Sequence, residues 1–413
     1  MHKILYITHR VPYPLDKGDR IRCWHILRML SRYAQVDLLA LADEPVHPEA
    51  SVALRHYVRN CYFVNTGGLR RYARMLARLF IGQALTVGAF CSREARRLTH
   101  RLLSSHDYRF VLISNSALLY LLPETLGNIE LIVDMMDVDS RKWRIYSDMR
   151  HGLSYLYRRE SKLIAQVEKR ILHRASAVLL TTQAEASYLL GSFHSQKVIV
   201  VGNGVDPDYY GYGELTADKL SPSIVYFGAL DYWPNIDAVN WFAHSVWPKL
   251  HKVMPTMQFH VIGRRPVRKI RILERVPGIV VHGDVPDIRP VVCQASIAVF
   301  PLRVVMGIPN KVLEGLALGR ACIVSPQVHD IISGHDGVHY LIANDANDWL
   351  DKIVWLANNP AALVEIGRNA RMLARTKFSW DVQLSPLVNV LRRSMSHITS
   401  TIAHVEQAHP CLN

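Results

Sequence analysis

Short apolar segments alternate with helical segments along most of this chain, and the alternation occurs in two successive series. The first series of predicted strands comprises residues 4–8, 36–41, 62–64, 110–114, 131–134, 177–182 and 198–201. The second comprises residues 224–227, 258–262, 279–282, 297–300, 321–324 and 340–343. Strands that alternate with helices form parallel sheets, because each crossover helix returns the chain in the same direction. The pattern therefore predicts an α/β protein with two Rossmann-like domains.

Turn residues at 203–207 and a polar segment separate the two series. We predict an N-terminal domain over residues 1–210, a linker over 211–223 and a C-terminal domain over 224–376. A helix over 377–396 and a tail over 397–413 follow. The length of 413 residues suits two domains.

The charge balance, 49 basic against 35 acidic residues, gives a net charge of +14 and predicts an anionic partner. Nucleotides, anionic lipid and nucleic acid all qualify. The basic residues are spread over both halves without a recognition-helix signature, which argues against nucleic acid. Neither a signal peptide nor a transmembrane run is recognisable, so we expect a cytoplasmic protein, or one peripheral on the inner face of the cytoplasmic membrane. The six cysteines lack metal-ligand spacing.

Residues 69–103 combine many arginines with leucine, isoleucine and aromatic residues, and residues 141–159 repeat this character. The arginines of the first segment are Arg70, Arg71, Arg74, Arg78, Arg93, Arg96, Arg97 and Arg101. A basic helix with interleaved apolar residues is typical of attachment to an anionic membrane surface. The alternative is a core helix with a solvated arginine face.

The segment 307–319 has the pattern of a phosphate-binding helix start. Pro309 and Asn310 suit a helix N-terminus, and Gly319 suits its C-terminal end. Free amides at a helix N-terminus favour an anion, and Lys311 adds a point charge for a phosphate. A carboxylate one turn later, Glu314, can accept hydrogen bonds from the cis-diol of a ribose. The segment predicts a site for a nucleoside diphosphate; the alternative is a solvated lysine and a capping glutamate.

The order of motifs along nearly the whole chain resembles the GT-B enzymes of glycosyltransferase family 4. The motifs are Asn203-Gly204-Val205-Asp206, Phe227-Gly228 with Pro234-Asn235, Val261-Ile262-Gly263 and residues 309–314. Residues 9–14 with Lys17-Gly18-Asp19, and residues 134–143, resemble the sugar transferases found beside PEP-CTERM/exosortase systems.

The resemblance implies a GT-B fold with two domains facing a cleft and a C-terminal helix returning to the N-terminal domain. It implies a retaining transfer from a nucleotide-diphosphate-sugar to a lipid-linked or oligosaccharide acceptor in bacterial exopolysaccharide synthesis. The nucleotide sugar is a co-substrate, and neither a cofactor nor a metal is expected. The donor-binding residues implied are Gly18, Gly228, Gly263, Arg264, Gly307, Asn310, Lys311 and Glu314.

Three positions depart from the family pattern. Met306 occupies the place of a second glutamate near the transferred sugar, and Ala229 replaces the start of an Arg/Lys pair that neutralises the diphosphate. Lys311 is then the best remaining cation, with Arg264, Lys17 and Arg20 as alternates.

The third departure is an acidic segment, residues 133–139, in place of a histidine of the N-terminal domain. We predict that Asp137 positions or deprotonates the acceptor, with Lys17, Arg20 and Asp134 on the acceptor side. The alternative gives Asp139 or Ser140 a helix N-cap role.

Two other functions remain open from the sequence. A GT-B nucleotide-sugar epimerase or hydrolase would use the same donor pocket without an acceptor. A non-enzymatic basic module would bind a membrane through its arginines alone.

Overall fold

The computed structural model describes residues 2–149, 151–191, 195–211, 213, 223–305 and 307–407. The chain divides into two compact units. Unit 1 comprises Met1–Gly202 with Leu384–Asn413, and unit 2 comprises Asn203–Gln383.

Unit 1 is built on a seven-stranded parallel sheet with the order β3-β2-β1-β4-β5-β6-β7. The strands are β1 Lys3–Thr8, β2 Gln35–Ala42, β3 Asn60–Asn65, β4 Phe110–Ser114, β5 Glu130–Met136, β6 Ala177–Leu180 and β7 Val198–Val200. Every residue of β4 is buried, as expected for a central strand of a sheet covered on both faces.

The helices of unit 1 connect these strands. They are α1 Gly18–Ser31, α2 Ala50–Leu54, α3 Leu69–Phe80, α4 Leu85–Phe90, α5 Arg93–Ser105, α6 Asp139–Met149, α7 Ser154–Arg174 and α8 Gln183–Leu190. Short 3-10 turns lie at Ser116–Leu121 and His151–Leu153.

Unit 2 has a six-stranded parallel sheet with the order β10-β9-β8-β11-β12-β13. The strands are β8 Ser223–Phe227, β9 Gln258–Gly263, β10 Ile279–Gly283, β11 Ile297–Phe300, β12 Ala321–Val324 and β13 Leu341–Ile342. The helices are α9 Trp233–Ser245, α10 Trp247–Val253, α11 Arg268–Arg271, α12 Arg289–Gln294, α13 Asn310–Ala317, α14 Pro326–Ile332, α15 Ala346–Asn358 and α16 Pro360–Lys377. A 3-10 turn follows α11 at Ile272–Arg275.

The structure confirms the predicted two-domain α/β class. Each of the thirteen predicted strands corresponds to an observed one, within a few residues at either end. The predicted helix at residue 310 is α13, with Pro309 at its N-cap and Gly319 in the left-handed region at φ 67°.

The arginine-rich segment 69–103 is not one helix but three, α3, α4 and α5. Gly82 adopts φ 73° just after α3, a conformation that favours glycine and interrupts the helix. The Ser92 hydroxyl accepts a hydrogen bond from the Ala95 amide at 3.0 Å and caps the start of α5. The second basic segment likewise falls on two helices, α6 and α7.

The start of unit 2 lies earlier than the predicted linker. The Val205 amide donates to the Phe378 carbonyl at 2.7 Å, and a Cβ added at Gly204 would lie 2.8 Å from the Cα of Trp380. These contacts hold residues 203–211 to unit 2, whereas most of the predicted linker lies outside the described residues.

The last helix, α17 Trp380–Gln407, continues beyond residue 396, where the sequence pattern had placed its end. From Leu384 onward it belongs to unit 1. Leu384, Leu387 and Leu391 are buried, and the Ser394 hydroxyl donates to Glu130 Oε2 at 2.8 Å.

A buried ion pair connects α1 to the sheet of unit 1. Arg22 Nε and Nη2 each donate to Asp134, both at 2.8 Å, and Arg22 Nη1 donates to the Gly202 carbonyl at 3.1 Å. Neither side chain is more than 1% exposed. The geometry is bidentate, the arrangement that best offsets the desolvation of a carboxylate and a guanidinium.

We expect Asp134→Ala to lower the free energy of unfolding by about 3–5 kcal/mol, because it leaves the Arg22 charge buried without its partner. The double variant Arg22→Met/Asp134→Leu removes both charges and should recover most of that loss. Urea denaturation of the three proteins measures the difference. A single variant as stable as the wild type would contradict the structural role of this pair.

Candidate functional site

Both sheets reverse their strand order once, and in open parallel sheets ligands bind at the carboxyl ends of the strands beside such a reversal. In unit 1 the reversal lies between β1 and β4, and in unit 2 it lies between β8 and β11. The residues that follow these four strands are therefore the candidates for ligand binding.

In unit 2, Gly228 directly follows β8 and lies against the Lys311 side chain. Lys311 Nζ donates to Asn235 Oδ1 at 2.7 Å, and Asn235 Nδ2 donates to the Ala229 carbonyl at 2.7 Å. A Cβ on Gly228 would lie 2.9 Å from Lys311 Cε, and Gly228 has φ 149°. The glycine lets the lysine reach the end of the strand. We call Gly228, Asn235, Lys311, Glu314 and Tyr210 the Lys311 site.

Gly263, at the end of β9, packs directly against the backbone of Gly228. A Cβ at this position would lie 1.8 Å from the Gly228 carbonyl oxygen, a distance that no side chain permits. Arg264 follows, and its carbonyl accepts a hydrogen bond from the Leu230 amide at 3.1 Å. The two predicted glycines therefore act through close packing of the backbone.

Lys311 and Glu314 are half-buried, and the protein atoms around them remove much of the water that would solvate their charges. Burial lowers the pKa of Lys311 to about 8 and raises the pKa of Glu314 to about 7. The Tyr210 hydroxyl donates to the Glu314 carboxylate, which opposes part of the effect of burial. Burial thus disfavours the charged form of each side chain, and a bound anion would raise the pKa of Lys311 back toward its ordinary value.

Asn310, the first residue of α13, has an unsatisfied side chain. Its Oδ1 and Nδ2 atoms are shielded from solvent and have no hydrogen-bond partner among the described residues. Leaving such a group unpaired costs about 1–3 kcal/mol, which a ligand at this position could recover. The preceding loop contains Gly307 at φ 62°, and Asn203 Nδ2 donates to the Ile308 carbonyl at 3.3 Å. Met306 lies outside the described residues.

In unit 1, a cavity of about 540 Å³ lies at the strand reversal. We call it the Asp137 pocket. Its polar lining includes His9, Asp19, Asp137, Lys142 and Glu160. Phe90, Met135, Trp143, Leu156 and Tyr157 supply an apolar wall. A pocket with a few convergent polar groups on an apolar wall suits a sugar ring or another small organic ligand.

The backbone before Asp137 is strained. Met136 adopts φ 65°, uncommon for a residue other than glycine, and the pairing of β5 with β6 shifts at this point. The Thr181 hydroxyl donates to Asp137 Oδ1 at 2.9 Å. Burial nevertheless raises the pKa of Asp137 to about 6. A carboxylate with this pKa can accept a proton near neutral pH, so the geometry suits a base or an acceptor-positioning group.

Two buried glutamates hold the start of α6, rather than Asp139 or Ser140 acting as its cap. The Val138 amide donates to Glu185 at 2.7 Å, and the Ser140 amide donates to Glu168 at 2.9 Å. Asp139 instead lies 3.6 Å from Lys142 Nζ, and its negative charge raises the pKa of Lys142.

His9 follows β1 and is held on both sides. Its Nδ1 lies 2.6 Å from the Ser114 carbonyl oxygen, and its Nε2 lies 3.0 Å from Asp19 Oδ2. Both contacts fix the orientation of the imidazole ring at the end of β1. Burial raises the pKa of Asp19, but hydrogen bonds and charge from His9 and Arg10 outweigh it and hold this pKa well below its ordinary value.

The structure places several predicted residues away from these two sites. Lys17 and Arg20 both pair with Glu44, at 2.7 and 2.8 Å, and Arg20 also pairs with Asp16. Gly18 begins α1 in unit 1, whereas the other predicted donor residues lie in unit 2. Both oxygens of Asp134 accept hydrogen bonds from Arg22, which makes its role structural.

His9 lines the Asp137 pocket and was not among the predicted site residues, although it directly follows a predicted strand. That position alone could have identified it. Nothing in the local sequence of Tyr210 indicates its contact with Glu314, because the two residues belong to distant segments.

Neither a metal site nor a membrane span is found in the described ranges. No group of three or more His, Cys, Asp or Glu side chains there is arranged to hold a metal ion. Among the same residues, none of the helices has both the length and the apolar character needed to cross a bilayer.

Comparison with known proteins agrees with this architecture. Residues 221–359 match the family described as glycosyl transferases group 1, whereas no curated protein matches the chain by sequence. Sucrose-phosphate synthase from Thermosynechococcus elongatus has a TM-score of 0.68 at 16% identity, covering 96% of this chain and 100% of that chain.

Two further solved structures are similar in the same way. Anabaena HepE in complex with UDP-glucose has a TM-score of 0.65 at 12% identity, covering 95% of this chain and 100% of that chain. S. aureus TarM, in a complex that contains UDP, has a TM-score of 0.65 at 11% identity, covering 94% and 99%. The chain thus has the fold of GT-B glycosyltransferases, and its matched segment supports a glycosyltransferase of this type.

Proposed function

We propose that this protein transfers a sugar from a nucleoside-diphosphate sugar to a glycan acceptor, with retention of anomeric configuration. The observation that carries the proposal is the Lys311 site at the end of β8, together with the unsatisfied side chain of Asn310 at the start of the same helix, α13. We infer further that the acceptor is lipid-linked and that the reaction serves bacterial exopolysaccharide synthesis. The resemblance to glycosyltransferase family 4, in particular its PEP-CTERM-associated members, supports both inferences.

The donor binds in unit 2. Lys311 neutralises charge on the diphosphate, together with the amides at the start of α13. Glu314 exchanges its hydrogen bond from Tyr210 for hydrogen bonds from the ribose hydroxyls, and Asn310 supplies the polar atoms that now lack partners. The solved complexes of HepE and TarM contain UDP-glucose or UDP, which supports a UDP-sugar as the first donor to test.

The acceptor binds in the Asp137 pocket of unit 1. Asp137 accepts a hydrogen bond from the acceptor hydroxyl and orients it. The bond between the anomeric carbon and the diphosphate oxygen breaks, and the acceptor oxygen bonds to the same face of that carbon. The acceptor proton passes to the departing diphosphate. The proposal uses neither a cofactor nor a metal, and catalysis rests on positioning and on charge stabilisation.

We expect Asp137→Asn to lower turnover by about a hundredfold, because the acceptor hydroxyl loses the carboxylate that orients it, while UDP affinity stays unchanged. The assay measures UDP release from UDP-sugars with and without a lipid-linked oligosaccharide. Asp148→Asn, an exposed carboxylate on the helix α6 that follows Asp137, is the matched control. Equal UDP release without acceptor would favour a nucleotide-sugar hydrolase, and full activity of Asp137→Asn would contradict the assigned role.

The raised pKa of Glu314 predicts a pH-dependent contribution to nucleotide binding. Above about pH 8 the carboxylate is ionised, and wild type should bind UDP about ten- to a hundredfold more tightly than Glu314→Gln. Below about pH 6 the side chain is protonated, and the two affinities should converge. Calorimetric titration measures both affinities at each pH. The ionisation of UDP affects both proteins equally, so it cancels from the ratio of the two affinities. A ratio that stays at one throughout would exclude Glu314 as a ribose ligand.

We also propose that unit 1 docks on the inner face of the cytoplasmic membrane through α3. No residue of this helix is fully buried, and four of its apolar side chains, Leu69, Tyr72, Leu76 and Phe80, are more than half exposed. Their spacing of three or four residues places them on one face. The net positive charge of the segment attracts an anionic leaflet over about a Debye length without inserting into it, and the apolar face adds the contact needed for reversible docking.

Wild type should sediment with anionic liposomes in a salt-sensitive manner and only weakly with zwitterionic ones. Replacing Leu69, Tyr72, Leu76 and Phe80 by serine should abolish sedimentation, since it removes the apolar contact but keeps the arginines. Serine at four exposed apolar positions of unit 2, Val253, Val338, Trp355 and Met372, is the matched control. Undiminished sedimentation of the α3 variant would rule out docking through this face.

A further inference from the structure

A second cavity of unit 1, of about 1090 Å³, is lined by seven arginines and takes no part in the mechanism above. We call it the arginine groove. Arg170 and Arg174 lie on its α7 wall and pair with Glu124. The other five make no ion pair with any carboxylate of the described residues; they are Arg70, Arg74, Arg78, Arg93 and Arg96. With Glu94 and Glu124 as its acidic lining residues, the groove carries a large excess of positive charge.

Two of these arginines are fixed in place by uncharged groups. Arg74 Nε donates to the Gly88 carbonyl at 3.1 Å and its Nη2 to the Ala89 carbonyl at 3.2 Å. Arg78 Nη1 donates to the Gln83 side-chain oxygen. These bonds orient the guanidinium groups without neutralising them, so an anion entering the groove meets charges that are already ordered.

Three of the arginines lie at helix N-termini, where a positive charge is electrostatically unfavourable. Arg70 is in the first turn of α3, and Arg93 and Arg96 are in the first turn of α5. The N-terminal end of a helix carries partial positive charge, and acidic residues are preferred there. A local preference that is broken without a compensating ion pair is expected at functional positions.

The groove arginines of α3 are arranged in a line along the helix and do not converge on one position. Arg70, Arg74 and Arg78 are spaced by four residues on one helix face, and the row is about 12 Å long at 1.5 Å rise per residue. A single phosphate can contact only part of this row, whereas a chain with repeated negative charges can follow it. The groove is concave, and a flat bilayer surface cannot enter it.

We propose that the arginine groove binds an extended anionic glycan, in which carboxylate groups repeat along the chain. This inference rests on the proposed function, because the bound chain would be the acceptor or the growing product. The α3 helix borders both cavities: Arg71 and Met75 line the Asp137 pocket, and Arg70 and Arg74 line the groove. One glycan can therefore present its end to Asp137 while its acidic units lie along the arginines.

The test is titration of the full chain with oligogalacturonate, a linear polymer of acidic sugars, and with its methyl ester, which has the same backbone but no charge. Wild type should bind the acid and not the ester. Arg93→Ser/Arg96→Ser should weaken binding by about a hundredfold, because each arginine contributes a charge-assisted contact. The matched control is Arg97→Ser/Arg101→Ser, which removes two exposed arginines of α5 that do not line the groove.

The melting temperature of the Arg93→Ser/Arg96→Ser protein should stay equal or rise, since the substitutions remove positive charge from a helix N-terminus. Equal weakening in both variants, or equal binding of acid and ester, would overturn the proposal. So would inorganic diphosphate or anionic vesicles binding the groove while oligogalacturonate does not. UDP affinity in the same samples reports separately on the donor site. Loss of oligogalacturonate binding with UDP binding retained would contradict the groove proposal alone, whereas a wild type that does not bind UDP would contradict the proposed function.

Discussion

The desolvation of Lys311 and Glu314 is the constraint on which the arrangement of unit 2 depends. A cation and a carboxylate are held among protein atoms with one hydrogen bond from Tyr210 to the glutamate and one from the lysine to Asn235. Two glycines without Cβ atoms, Gly228 and Gly263, allow the backbone to close around the lysine. The charges are therefore positioned before any ligand arrives, and an anion with a diol supplies the interactions that burial has removed.

Unit 1 reaches a comparable result by different means. Its strand ends carry the strained Met136, which turns Asp137 toward the pocket, while Glu168 and Glu185 bind the amides that follow. Burial raises the pKa of Asp137 to about 6, so the carboxylate can exchange a proton near neutral pH. The helix α3 contributes to three features of unit 1. Its residues line the Asp137 pocket, line the arginine groove and expose an apolar face.

The fold was predictable from the sequence because it follows from local patterns. Buried parallel strands are short apolar runs, and the turns between series contain glycine, asparagine and proline. The helix at Asn310 was predictable for the same reason. What the pattern missed depends on distant contacts: the Arg22 pairing that removes Asp134 from the acceptor side, and the Glu44 pairing that occupies Lys17 and Arg20. Charge composition showed that residues 69–103 are basic, but only Gly82 and Ser92, acting as helix breaks, decide that they form three helices.

The path of α17 has a consequence for how this protein is made. A ribosome delivers the first 202 residues long before residues 384–394, yet Leu384, Leu387 and Leu391 are buried parts of the same unit. Until they are synthesised, unit 1 exposes the surface that these residues cover. Unit 2, whose residues are contiguous from 203 to 383, has no such delay. Unit 1 therefore cannot complete its fold until residues 384–394 have left the ribosome, although most of it is translated first.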